Sequence, residues 1–197
     1  MTTFRIMAGL GLAATLAACS AAPSGPQTVD LGQVLDRTEF AITEYQGYLA
    51  SNELEDLDEA NMEEFTGFYT AVLNTQPGFY DQNLGVSLED DGSFLGYKDA
   101  NANAVQDGGE DDLFTVEIDA ENQRLIATDM SGESTGLRFS GAGFVTGLLV
   151  GRMLNRQSRA GVSRTALANK TATPRSSYRA PASARSRVRS GGTRSGK

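Results

Sequence analysis

Apolar positions recur along this chain with three successive periods. From residue 29 to about 50, Leu31, Val34, Leu35, Ile42, Tyr45 and Leu49 fall close to one face at a spacing of 3.6, which predicts an amphipathic helix. A break at Ser51-Asn52 separates it from a second helical stretch. Asn52 followed by Glu55 supplies a capping-box signal there, and Leu57, Phe65, Phe68, Tyr69 and Val72 form the apolar face. That helix must end before Pro77-Gly78. Its aromatics are assigned to the core, because helical spacing by itself predicts burial.

From Leu84 the period becomes two. Leu84, Val86 and Leu88 alternate, Asp90-Asp91-Gly92 forms a turn, and Ser93 to Lys98 returns. Phe114, Val116 and Ile118 alternate in a third strand over Leu113–Ile118; Arg124 to Thr128 forms a fourth and Thr135 to Phe139 a fifth. The expected architecture is α+β, with two N-terminal helices packed on a small antiparallel β-meander.

Beyond residue 138 the pattern changes again. Residues 139–154 are apolar and glycine-rich, with Gly143, Gly147 and Gly151 spaced by four. That spacing puts them on one helical face and predicts close helix packing, including self-association. Arg138 and Arg152 bracket thirteen uncharged residues, about 20 Å as a helix and short of the roughly 30 Å hydrocarbon core. Residues 155–197 hold almost no large apolar side chains, so disorder is expected there. The predicted organisation is therefore residues 1–18 as a signal peptide, 19–27 as a tether, 28–138 as the folded domain, 139–154 as the apolar segment and 155–197 as the tail.

Charge divides the chain at the same place. The net charge of −8 combines two opposed halves. All 25 acidic residues lie between Asp30 and Glu133, against four cations from residue 28 to 151, leaving −21 for the body. Arg152 to Lys197 carries 12 cations and no acid. The tail is expected to touch anionic lipid, lipopolysaccharide or cell-wall polyanions through 152–197, or to fold back on its own acidic body. Nucleic acid is not expected as a partner.

The sequence has no His and no Trp. A Ser–His pair, a His metal ligand and a proton shuttle near neutral pH are thereby excluded. The single cysteine, Cys19, ends Leu16-Ala17-Ala18-Cys19 after an apolar run from Ile6 to Ala17 and one cation, Arg5. This composition is that of a secretory signal. Its last four residues resemble a bacterial lipobox, which implies cleavage before Cys19, a diacylglycerol thioether on it and N-acylation of the new terminus. Ser20, where Asp usually signals inner-membrane retention, resembles the outer-membrane sorting pattern. The implied location is the cell envelope, lipid-anchored at the outer membrane and facing the periplasm.

One constellation carries chemistry. Asp99, Asn101, Asn103, Asp107 and Glu110 occupy relative positions 1, 3, 5, 9 and 12, and Val105 at position 7 offers a main-chain carbonyl. This is the spacing of an EF-hand calcium loop, in which alternate oxygens turn inward around one cation and the last Glu binds through both oxygens. The stretch also resembles the DxNxNGxxDxGE calcium loops of secreted bacterial proteins, departing at Ala104, where glycine is expected. It lies between two strands, so a loop is implied and not an EF-hand domain pair. The implied cofactor is Ca²⁺, bound at about 0.1–1 mM as in extracellular modules. The expected function is a non-catalytic envelope lipoprotein. The alternative is a periplasmic hydrolase using paired carboxylates.

Overall fold

The computed structural model describes residues 28–139 and 147–185. Helix α1 spans Leu31–Ser51 and α2 spans Glu59–Leu73. Strands β1 (Leu84–Leu88), β2 (Phe94–Lys98), β3 (Asp112–Asp119), β4 (Arg124–Asp129) and β5 (Ser134–Arg138) follow. Each pairs antiparallel with the next, as a meander requires. The α+β class predicted from the periodicity is the class observed.

Asp30 caps α1 by accepting from the N–H groups of Gly32 and Gln33 at 3.0 and 3.2 Å. The start of α2 differs from expectation. Asn52 sits at the C-terminal end of α1, donating its amide to Tyr48 O. The N-cap of α2 is Asp58, which exchanges hydrogen bonds with Asn61 in a reciprocal capping box. Leu57 is buried although it precedes the helix. At the other end, Arg37 of α1 closes α2 by donating Nη1 to the carbonyls of Val72, Leu73 and Thr75 at 2.8–2.9 Å. Val72 and Leu73 belong to the last turn of α2, where carbonyls have no intrahelical partner.

The core lies between the helical pair and one face of the sheet. Phe65 and Tyr69 of α2 meet Phe94 of β2 at ring-centroid distances of 5.7 and 5.4 Å, and Tyr45 of α1 meets Phe65 at 5.2 Å. All four side chains are buried, as expected of core aromatics. Each contributes about 1.5–3 kcal/mol by leaving water. Two glycines make room for rings across the sheet. Gly85 pairs with Tyr97 and Gly96 with Phe114, and a Cβ at either would fall 2.3 and 2.1 Å from the partner ring.

The expectation of disorder after residue 154 is corrected for 155–185. Helix α3 spans Leu148–Arg159, α4 spans Arg164–Asn169, and β6 (Thr173–Pro174) pairs parallel with β5 as a sixth strand. Residues 186–197 lie outside the described residues. The physical reason is that this segment needs no core of its own. Within 155–185, Tyr178 is buried in the core of the domain, Leu167 is buried, and buried Gln157 donates to Ile118 O, while the first turns of α3 bury Leu149, Val150 and Met153 in the same core. Its cations pair with acids of the body: Arg152 and Arg156 with Glu59, Lys170 with Glu117, and Arg175 with Asp36. Composition measured along the segment alone does not register a surface borrowed from elsewhere in the chain.

The helix expected over 139–154 begins at Leu148, with Gly147 as its N-cap. Gly143 lies outside the described residues. A Cβ on Gly147 would fall 1.7 Å from Oε1 of Gln46 in α1, so this close approach occurs within the chain. Gly151 is exposed, with nothing within 4 Å of its would-be Cβ. No helix among the described residues is long and apolar enough to cross a membrane.

Candidate functional site: the 99–110 loop

The loop joins β2 to β3 and is closed at its base by main-chain bonds. Lys98 N donates to Asp111 O at 2.9 Å, and Asp99 N donates to Asn83 O at 3.0 Å. Asp99 is therefore fixed by the ladder, and it is buried. Its Oδ1 accepts from the N–H of Asn103 at 3.1 Å and its Oδ2 from that of Ala104 at 2.9 Å. Asn101 Oδ1 accepts from Asn103 N at 3.1 Å, and Asn103 Oδ1 from Val105 N at 2.8 Å. These short side-chain-to-backbone bonds are what make Asp and Asn turn formers. Successive odd positions are thereby turned to the loop interior.

Three side chains meet at Asp107. Its Oδ2 accepts from the amides of Asn101 at 2.7 Å and Asn103 at 3.0 Å. Glu110 ties the two ends together, Oε1 accepting from Ala100 N at 2.7 Å and Oε2 from Asp107 N at 3.0 Å. So Asp99, Asn101, Asn103, Asp107 and Glu110 are linked in one network. Val105 differs: it is 60% exposed.

Ala104 adopts φ +58°, the left-handed conformation expected at the sixth position. Ala102 adopts φ +59° as well, which the spacing did not foretell. Left-handed alanine costs roughly 1–2 kcal/mol per residue. The loop holds two such residues, and Gly109 at φ +102° carries a third left-handed position without a Cβ.

The electrostatics are one-sided. Among the described residues, no ion pair involves Asp99, Asp107 or Glu110. Their charges are met only by N–H dipoles. Each Asn Oδ1 and each oxygen of Asp99 and Glu110 retains a further lone pair beyond its N–H contact, whereas Asp107 Oδ2 already accepts two amide N–H groups. The donors are hard oxygens throughout, which fits the calcium class. Also among the described residues, no three His, Cys, Asp or Glu side chains are placed to hold a metal by themselves. Cation binding would draw on the two Asn oxygens and exchange some N–H contacts for metal–oxygen ones.

Beside the loop lies an open cavity of about 570 Å³, bordered by Asp81, Asn83, Lys98, Asp99 and Ala100. No periodicity signals it, because Asp81 and Asn83 belong to an irregular segment. Cys19 lies outside the described residues. Comparison of the chain with family models, with curated proteins and with solved structures gives no match.

Proposed function

We propose that this chain is a non-catalytic, lipid-anchored protein of the bacterial cell envelope whose 99–110 loop binds Ca²⁺. The observation that carries the calcium reading is the loop network. Side chains at positions 1, 3, 5, 9 and 12 are joined by hydrogen bonds, with a left-handed residue at position 6. Asp99, Asn101, Asn103, Asp107 and Glu110 supply side-chain oxygens, and Val105 a carbonyl. The anchor reading rests on Leu16-Ala17-Ala18-Cys19.

The hydrolase alternative needs two carboxylates free to act in one cavity. Asp81 and Asp99 both border the cavity beside the loop, but Asp99 has both oxygens committed to the N–H groups of Asn103 and Ala104. This supports the binding reading over the catalytic one.

Calcium at about ten times its dissociation constant should stabilise the fold by about 1.4 kcal/mol. For a domain of this size that raises Tm by about 3–6 °C. An identical Tm with calcium and with chelator argues against the calcium reading. Fractionation of cells expressing Cys19→Ala tests the anchor: unprocessed, unlipidated precursor is expected, and normal cleavage to a soluble chain refutes it.

A further inference from the structure

β1 is the edge of the sheet, and among the described residues no strand flanks its outer side. Its main-chain groups alternate in direction. Glu89 N–H donates to Ser93 O at 2.9 Å and Asp99 N–H to Asn83 O at 3.0 Å, so the odd-numbered residues from 83 to 89 turn toward β2. Leu84 turns its N–H and C=O the other way, to the open edge. It is 1% exposed, and main-chain groups hidden from water need partners.

One side chain supplies both partners. Asn74 Oδ1 accepts from Leu84 N–H at 2.9 Å, and Asn74 Nδ2 donates to Leu84 O at 2.7 Å. The amide stands where a residue of a further strand would stand. Asn74 is also the C-cap of α2, and Nδ2 donates to Thr70 O at 2.9 Å as well. Two carbonyls need donors and one N–H needs an acceptor, which an amide alone provides at that size. Arg37 steadies this helix end, binding the carbonyls of Val72 and Leu73 just before Asn74 and of Thr75 just after it.

Asn83, the residue before Leu84, carries the carbonyl that receives Asp99 N–H. Asp99 is the first ligand position of the loop. The neighbouring bond from Lys98 N–H to Asp111 O holds it from the other side. Only the Asn83 bond depends on where β1 begins. We propose that Asn74 is a positioning residue for the calcium loop: by fixing Leu84 it fixes Asn83 O, and so the place of the Asp99 carboxylate. The proposal rests on the calcium reading. It couples the end of α2 to the ion through a residue that supplies no ligand. Groups that orient a metal's ligands are typically worth about 10–100-fold in affinity. Asn74 acts through two residues, and the Lys98 bond survives its loss, so the expected effect is smaller.

Calcium titration of the full mature chain reads that effect. Asn74→Ala should raise the dissociation constant about fivefold and keep one site per chain. Asn74→Asp keeps the size of the side chain but sets an oxygen against the carbonyls of Thr70 and Leu84, so it should weaken binding at least as much. Tyr178→Phe, which loses a hydrogen bond at the start of α1, should leave the constant unchanged. Hydrogen exchange of the calcium-free chain reads the link without the ion. In Asn74→Ala, Asp99 N–H should exchange about tenfold faster, a larger acceleration than in the amides of β4. A wild-type constant in Asn74→Ala overturns the proposal. So does a wild-type constant in Asn74→Asp, the result expected if Asn74 only fills space, or an equal shift in Tyr178→Phe. Equal acceleration at Asp99 and in β4 overturns it too. A wild-type chain that takes up no calcium is a separate failure, that of the calcium reading, and the exchange result then still decides whether Asn74 holds Asp99.

Discussion

The main-chain N–H of Ala104 points at Oδ2 of Asp99, 2.9 Å away, while Ala104 holds φ +58°. The sixth residue of the loop thus turns back on the first, and only a left-handed residue makes that turn. An alanine does it at a steric cost that glycine does not have.

Ala104→Gly should therefore raise the stability of the calcium-free protein by about 1 kcal/mol. It should also tighten calcium binding, because the bound loop needs the same conformation. Denaturant unfolding with and without calcium checks both. A destabilised variant would show that the Ala104 methyl contributes packing that outweighs its backbone strain.

Asp119 and Arg124 form the most buried ion pair described, Nε to Oδ2 at 2.7 Å with the Asp119 side chain 1% exposed. Burial pushes the Asp119 carboxyl up, but hydrogen bonds from Asn122 and Arg124 outweigh it and hold the carboxyl below its ordinary value of 3.8. A depressed carboxyl stabilises the fold above the unfolded-state value, and that contribution is lost as pH falls through the folded-state value. Stability should decline below about pH 4 for this reason. Asp119→Ala should cost about 3 kcal/mol at neutral pH, since it leaves the Arg124 charge without its carboxylate and with only main-chain carbonyls as acceptors. It should also flatten the acid limb. Thermal melts across the acid range test this, and an unchanged acid limb in the variant contradicts the assignment.

Tyr178 pins the C-terminal segment to the start of α1. Its hydroxyl accepts from Leu31 N–H at 3.2 Å and its ring is 4% exposed. Burial pushes the phenol up to about 12, with the Leu31 bond opposing. Tyr178→Ala should cost about 3 kcal/mol and Tyr178→Phe about 1 kcal/mol. If 155–185 were a passive tail, neither substitution would move the unfolding midpoint.

The contrast between body and tail shows what the sequence could reveal. Leu84, Val86 and Leu88 alternate strictly, and β1 spans those residues. Strand alternation and helical spacing are local, so both N-terminal helices and all five meander strands could be placed from the sequence. The start of α2 differs from the expected one because Asn52 and Asp58 are both capping residues. Asn52 serves the preceding helix and Asp58 opens the next. In the sequence Tyr178 is the one aromatic of the polar stretch 155–197. Its place against Leu31 spans 147 residues of sequence, which no local period encodes. The loop was legible from ligand spacing, including the left-handed turn at Ala104; the turn at Ala102 was not, since alanine carries no signal for φ above zero.

The claim that the 99–110 loop is a calcium site is tested most directly by calorimetric titration of the chain from residue 20, which lacks the lipid-bearing Cys19. One site per chain is expected, with a dissociation constant of about 0.1–1 mM. In Glu110→Gln the heat should disappear, because that change removes a charge and the bidentate contact from the residue that joins both ends of the loop. Heat that is absent from the wild-type chain at millimolar calcium, or undiminished in Glu110→Gln, contradicts the account.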